Sequence, residues 1–334
     1  MKIDYLDKFK GTLLSVALGD TLGRPFEGKL MDEIHQKFDN IEDYIKLNKK
    51  LFKGYTDDTQ LTLHLLKSLL QGKGFNIEYL ISEFAKWIDD PPINPGYGSL
   101  TAIKKLKYNI PWQKAATTSG GNGTAMRVSP LGLLYSMDLN TLIDTARKSS
   151  IITHSNPAAT SAAIIIARAV AFLVNKTTKI KFSINEFIDK LILSISHIEP
   201  TIREEFVENL EKLKHITNIP IKSGLIKFSQ IGVKPPYFLE QYLGKAFIHP
   251  YAMSTTICSL FIFLKNLQSY KGCIFSLVTA GGDTDTAGAI GGSLAGAYYG
   301  FSHIPNELTG LVNNKKTILS LSEELYNLFR KKYL

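Results

Sequence analysis

Apolar side chains recur along most of this chain at three- and four-residue spacing, the pattern of helices that bury one face. Leu6, Phe9, Leu13, Leu14, Ala17 and Leu18 mark a helix over residues 6–18. Leu61, Leu65, Leu66 and Leu69 mark another over 59–71, with Gly72 as its stop. Leu80, Ile81, Phe84, Trp87 and Ile88 share one face over 78–88. Ser155-Asn156-Pro157 opens a long apolar helix that reaches about Val174, with Pro157 in the first turn, where a missing N–H costs nothing. Residues 186–197 and 202–216 read as amphipathic helices, 238–246 and 252–267 as two more, and 317–332 as the last. Residues 217–237 hold Pro220, Gly224, Gly232, Pro235 and Pro236 and read as a loop or lid. Ala287, Gly288, Gly291, Gly292, Ala295 and Gly296 form a run of small residues suited to close helix–helix approach. Period-two alternation is scarce. The pattern predicts an all-α chain, residues 1–334 forming one compact multi-helix domain without linker or internal repeat.

Composition narrows the class without changing that picture. The chain has 334 residues, 44% hydrophobic and 21% charged, enough apolar content for a large core and too much for disorder. Its most apolar stretch, Ala162 to Val174, is interrupted by Arg168 and falls short of the roughly 20 residues that span a bilayer. The first residues carry no apolar signal core. Cys258 and Cys273 are too few for a disulfide framework and predict buried thiols in a reducing, cytoplasmic compartment, with no membrane partner. The net charge of +9 comes from scattered lysines, among them Lys49, Lys50, Lys104, Lys105 and Lys107, expected to form a solvated surface that can draw an anionic substrate. No interleaved aromatic and basic motif favours RNA or DNA.

The chemistry lies in two acidic turns far apart in sequence, Thr56-Asp57-Asp58-Thr59 and Gly281-Gly282-Asp283-Thr284-Asp285-Thr286. Each sets carboxylates beside hydroxyls where a loop becomes a helix. Alone, each is most simply a helix cap. Brought together, four carboxylates in one small volume cannot all stay ionised without cations, and hard oxygen ligands in this number suit Mg²⁺ or Mn²⁺. Ser119-Gly120-Gly121-Asn122-Gly123 is a glycine-rich turn whose N–H groups could cradle a diphosphate. Arg127 follows at a distance that suits either a phosphate contact or a buried structural role.

These residues, with Gly19-Asp20-Thr-Leu-Gly23, Glu27 and His154, resemble in their order the ADP-ribosylglycohydrolase family of the dinitrogenase-reductase-activating and ADP-ribosyl-acceptor hydrolase type. The resemblance runs from about residue 9 to 300. It implies an all-helical fold of orthogonally packed helices around a central binuclear metal cleft, and cleavage of the bond joining ADP-ribose to a protein side chain, arginine-linked by preference. Serine-linked ADP-ribose and a small ADP-ribosyl metabolite stay open, as does a non-catalytic ADP-ribose-binding or structural protein on the same scaffold. The implied cofactors are two Mg²⁺ or Mn²⁺, held by Thr56, Asp57 and Asp58 from one side and Asp283, Asp285 and Thr286 from the other. Glu27, Asp57, Asp58 and Asp285 are the implied catalytic residues, Glu27 standing on a mobile segment. Tyr97, Gly98, Ser119, Gly121, Asn122, Gly123 and His154 are the implied substrate contacts, and Asp20 is structural. The 217–237 loop is expected to select which modified protein fits. The partners are ADP-ribose and an ADP-ribosylated protein, and the enzyme is expected to act as a monomer.

Overall fold

The computed structural model describes residues 3–38, 40–48 and 53–334, apart from the side chains of residues 41, 47 and 48; Lys49 and Lys50 lie outside the described residues. Eighteen α-helices and four short 3₁₀ turns make up its regular structure, with no strand among the described residues. Among the described residues only isolated bridges pair extended segments, two of them at Gly281 and Gly282.

The first helix, Tyr5–Gly23, is capped by the Asp4 side chain and is buried along nearly its whole length. It crosses Thr284–Tyr299 so closely that side chains are excluded from the seam. A Cβ on Gly19 would stand 1.9 Å from the Gly288 carbonyl oxygen, and one on Gly23 would stand 2.1 Å from that of Thr284. A Cβ on Gly292 would meet the Ser15 oxygen at 2.2 Å, and one on Gly296 the Gly11 oxygen at 2.2 Å. The small residues therefore recur every fourth position on both helices, which is the spacing that keeps one helix face aligned. The tight approach outweighs the poor helix propensity of glycine. It also lays the C-terminal end of the first helix, with Asp20, against the start of the other, with Asp285.

Pro157–Val174 runs through the interior, with the Asn156 side chain accepting from the Ala158 N–H at its start. It is long and apolar enough to cross a membrane by length and composition, but 89% of it is buried inside the protein, so it is a core helix. It packs against Leu139–Ile151, Ser129–Leu134, Ala252–Lys265 and Thr284–Tyr299. The closing helix, Lys315–Tyr333, covers the first through ring contacts of Phe329 and Tyr326 with Phe9.

Two sequence expectations fail. Residues 217–237 contain a helix, Ile221–Phe228, rather than an uninterrupted loop. Pro220 stands just ahead of its first turn, where proline is tolerated, and Gly224 lies where a Cβ would come within 2.1 Å of the Phe261 ring, so packing selects glycine there. Conversely, 238–246 is not helical beyond one 3₁₀ turn, Glu240–Tyr242. The Gln230 side chain takes both main-chain groups of Leu239, accepting its N–H at 2.7 Å and donating to its carbonyl at 3.1 Å, and Gly244 turns the chain at φ +72°. The apolar spacing there marks a cavity wall instead.

Candidate active site

The first acidic turn opens the helix Asp57–Gln71, and its brace is Asp20. The Asp20 carboxylate accepts the Thr56 N–H at 2.9 and 3.0 Å, the Thr56 hydroxyl at 2.9 Å, the Thr59 N–H at 3.0 Å and the Thr59 hydroxyl at 2.6 Å. With both oxygens committed, Asp20 positions its neighbours. Thr56 lies fully buried beneath the cleft, its hydroxyl between Asp20 and Asp58 Oδ2. Asp57 and Asp58 reach the cleft. Asp57 is fixed by its own N–H on the Ile93 carbonyl and by the Gly96 N–H, which donates to Oδ2 at 3.2 Å.

The second turn is held by main chain. Gly281 and Gly282 take φ values of +80° and +75°, a region that favours glycine. The Gly282 N–H donates to the Lys29 carbonyl, the Gly28 N–H donates to the Gly282 carbonyl, and the Asp283 N–H donates to the Ile248 carbonyl. The same contacts set Glu27, just ahead of Gly28, at the cleft beside Asp283, and Asn94 Nδ2 donates to Glu27 Oε2 at 2.5 Å. Asn122 Nδ2 donates to Asp283 Oδ2 at 2.7 Å and to the Thr255 hydroxyl at 3.0 Å.

Asp57, Asp58, Asp283, Asp285, Thr286 and Glu27 thus line one cleft of about 230 Å³. Single oxygens of Asp20, Asp58 and Asp285 lie within 4.8 Å of one another, all three residues buried. Burial above all, then the charges of Asp20 and Asp283, push the Asp57 carboxyl up to about 8 against the opposing Gly96 N–H. Burial and neighbouring aspartates also raise Asp58 and Asp285 well above the usual carboxylate range. Burial and the Asp283 charge raise Glu27. Asp58 Oδ1 is buried without a hydrogen-bond partner, and a buried unpaired carboxylate oxygen is costly unless a cation or proton takes it. The donor set therefore fits a hard divalent cation.

The other wall offers neutral polar groups. The helix Tyr97–Lys107 points its N-terminus here, so the N–H groups of Tyr97, Gly98 and Ser99, which no carbonyl of that helix can accept, open at the cleft. Ser119, Gly121, Asn122 and Gly123 stand beside them; the Gly121 N–H donates to the Ser119 hydroxyl, and the Asn122 N–H to the Pro250 carbonyl. Gly98 and Gly123 are both hard against neighbours. A Cβ on Gly98 would come within 2.8 Å of His154 Nε2, and one on Gly123 within 2.6 Å of the Ser99 hydroxyl. Burial and the Arg127 charge push His154 down to about 3, so the ring is neutral. Arg127 Nη2 donates to the Thr153 hydroxyl at 2.6 Å, and that hydroxyl sits 2.9 Å from His154 Nδ1. That hydroxyl also lies 3.3 Å from the Ser150 carbonyl, and the neutral His154 ring stands in the cleft wall.

Tyr97 is 80% exposed at the rim. Arg127 does not line the cleft. It is buried against the Phe84 ring and ties together the Gly123 and Ser149 carbonyls, the structural one of its two readings. Asn94, Met126 and Pro250 line the cleft without a signal in the sequence. The brace at Asp20 could have been suspected from the Gly19-Asp20 motif, but its partners stand in another helix.

An all-helical fold, a buried acidic cluster and a glycine-lined wall opposite it define the class: the chain belongs to the ADP-ribosylglycohydrolase family, whose model matches residues 1–334. It is a glycosidic-bond hydrolase of ADP-ribosylated substrates. The chain is similar to ADP-ribosylhydrolase ARH3 of Danio rerio, at 26% identity over 97% of this chain and 91% of the relative. It is also similar to ADP-ribosyl-[dinitrogen reductase] glycohydrolase of Rhodospirillum rubrum, at 24% identity over 90% of this chain and 88% of the relative. A solved ADP-ribosylglycohydrolase-related protein complex shares the fold, with a TM-score of 0.70 and 22% identity over 97% of this chain and 99% of that one.

Proposed function

We propose that this enzyme is a divalent-metal-dependent hydrolase that removes ADP-ribose from modified protein side chains, arginine-linked by preference, by cutting at the ribose anomeric carbon. The observation that carries the metal dependence is Asp58 Oδ1, a buried carboxylate oxygen without a partner in a cluster of raised carboxylates. Asp57, Asp58, Asp283, Asp285 and Thr286 would hold two Mg²⁺ or Mn²⁺ ions, with Thr56 beneath them. Bound there, the ions supply Lewis acidity toward ribose hydroxyls and water. A hydroxyl ligand such as Thr286 adds an oxygen without adding charge.

The protein's own groups handle the rest. The N–H groups of Tyr97–Ser99 and Gly123, with the uncharged His154 ring beside them, face the diphosphate and distal ribose, and neutral N–H donors are the polarity a phosphate requires. The carboxylates of Glu27 and Asp283 face the anomeric centre, where positive charge develops as the glycosidic bond stretches. The raised Glu27 can hold a proton for the departing nitrogen and, once ionised, pair with the guanidinium that forms. That pairing favours arginine over serine, whose departing oxygen leaves no cation.

A panel of Arg-, Ser- and Cys-linked ADP-ribosyl peptides, assayed for released ADP-ribose with Mg²⁺, with Mn²⁺ and after chelation, tests the reading. Arginine-linked turnover that stops on chelation and returns with either ion is expected. Chelator-resistant turnover would refute the metal dependence, and faster release from serine would reassign the linkage.

A further inference from the structure

Glu27, Pro250 and Asp283 line a second cavity as well, of about 360 Å³, whose other walls include Leu30, Leu239, Tyr242 and Phe247. The two cavities meet at the carboxylates, and their walls are opposite in kind. In the first, the N–H groups of Tyr97, Gly98 and Ser99 at the helix start and that of Gly123 in the glycine turn remain available to a ligand. In the second, most main-chain N–H groups are already spent. Gly28 and Lys29 donate to the Gly282 and Phe26 carbonyls, and Leu30 donates to the Glu33 carboxylate. Ile248, Gly282 and Asp283 donate to the Gly281, Lys29 and Ile248 carbonyls, and Leu239 donates to Gln230. Lys29, the one basic residue of that lining, lies over the Phe26 ring, its Nζ 5.1 Å from the centroid. A diphosphate placed there would find few main-chain donors, with only the Lys29 ammonium and the Tyr242 hydroxyl to replace the water it gives up.

The wall is also built in advance. Tyr242 and Phe247 meet edge to face with centroids 5.1 Å apart, and Phe247 is almost fully buried. Gln230 clasps Leu239 through both its main-chain groups. His249 accepts the Tyr251 N–H at Nδ1 and donates from Nε2 to the Tyr237 carbonyl at 3.0 Å, which closes the segment. The bond to be cut lies at the carboxylates, with the phosphates drawn into the first cavity. The group on the far side of that bond is the acceptor.

We propose that the second cavity is the acceptor subsite, seating the polypeptide around the modified residue with an apolar neighbouring side chain against Leu239, Tyr242 and Phe247. This rests on the protein-linked reading above. A bare modified amino acid would leave the exposed parts of Leu239 and Tyr242 facing water, whereas a peptide covers them, and removing apolar area from water is favourable.

The test compares two substrates in the metal-loaded enzyme: an arginine-linked ADP-ribosyl peptide with leucine beside the modified residue, and ADP-ribosyl-arginine itself. Leu239→Ser and Tyr242→Ser, both at partly exposed positions, are each assayed for kcat/KM on both substrates and for ADP-ribose affinity by calorimetry. The expected result is a fall of about tenfold in the peptide-to-amino-acid ratio of kcat/KM, with ADP-ribose affinity kept. An unchanged ratio, or weakened ADP-ribose binding, overturns the assignment. Wild-type enzyme that binds ADP-ribose yet cleaves neither these substrates nor the serine- and cysteine-linked peptides sinks the protein-linked reading itself, a separate failure from a ratio that does not move.

Discussion

The turn at Thr56–Asp58 is held from within, by another carboxylate whose two oxygens gather the hydroxyls and N–H groups of Thr56 and Thr59. The turn at Gly281–Asp285 is held from outside, by left-handed glycines and by main-chain bonds to the Gly28–Lys29 and Ile248 segments. Both deliver aspartates to one cleft. The difference lies in what each can tolerate. A side-chain brace fails when an acceptor is removed, and a main-chain brace fails when an atom is added.

The sharpest way to break the second turn is Gly282→Val. Its φ of +75° and a Cβ 2.2 Å from the Ile248 oxygen leave no room, so a loss of about 3 kcal/mol or more is expected in chemical denaturation. Near-wild-type stability would mean that the main-chain brace is slack. Breaking the first turn by Asp20→Ala leaves buried N–H and hydroxyl donors without an acceptor. Each costs about 1–3 kcal/mol before water enters, but the substitution also removes a buried carboxyl that burial pushes up to about 6, so a smaller net loss of about 2 kcal/mol is expected. It should come with weaker divalent-ion binding in calorimetry, because Asp57 and Asp58 ride on that brace. Unaltered ion affinity would show that the helix start holds without Asp20.

The finest distinction is one of pH. The Asp57 carboxyl titrates near 4 when unfolded and is pushed up to about 8 when folded. The folded state therefore binds the proton more tightly between those values. Stability from this group is full below pH 4 and is lost as pH rises through 8. In chelator, the melting temperature of wild type should fall more steeply over that window than that of Asp57→Asn, whose residue 57 does not titrate. Divalent ions should flatten the difference, since they favour the charged carboxylate. Parallel slopes without metal would place the burden on other carboxylates.

How much of this is readable in advance depends on where a residue's partner stands. Helices such as Pro157–Val174 carry their own start signal in Asn156-Pro157, and the aspartate turns carry their chemistry in residue type. Both are visible in a single sequence. The role of Asp20 is set by threonines in a different helix, and Thr56 sits beneath the cleft because its hydroxyl is taken by Asp20 and Asp58. Neither depth nor partnership has a local signature. The helix at Ile221–Phe228 was hidden by Pro220 and Gly224, residues that break helices on average but fit here because one precedes the first turn and the other meets Phe261. The apolar positions at Leu239 and Tyr242 fall in the segment 238–246 that reads as a helix, yet their common feature is a cavity wall shared with Phe247.

The glycine seam between Tyr5–Gly23 and Thr284–Tyr299 joins segments from nearly opposite ends of the chain. During synthesis the N-terminal helix emerges long before the surface it must lie against. Until then its smooth small-residue face has no partner, and the aspartates of the first turn wait without their counterparts. Pairings so distant in sequence form slowly and late. A nascent or truncated chain ending before the second acidic turn thus lacks Asp283, Asp285 and Thr286, and its cleft stays half-built until residues 281–286 have been made and have folded back onto the first helix.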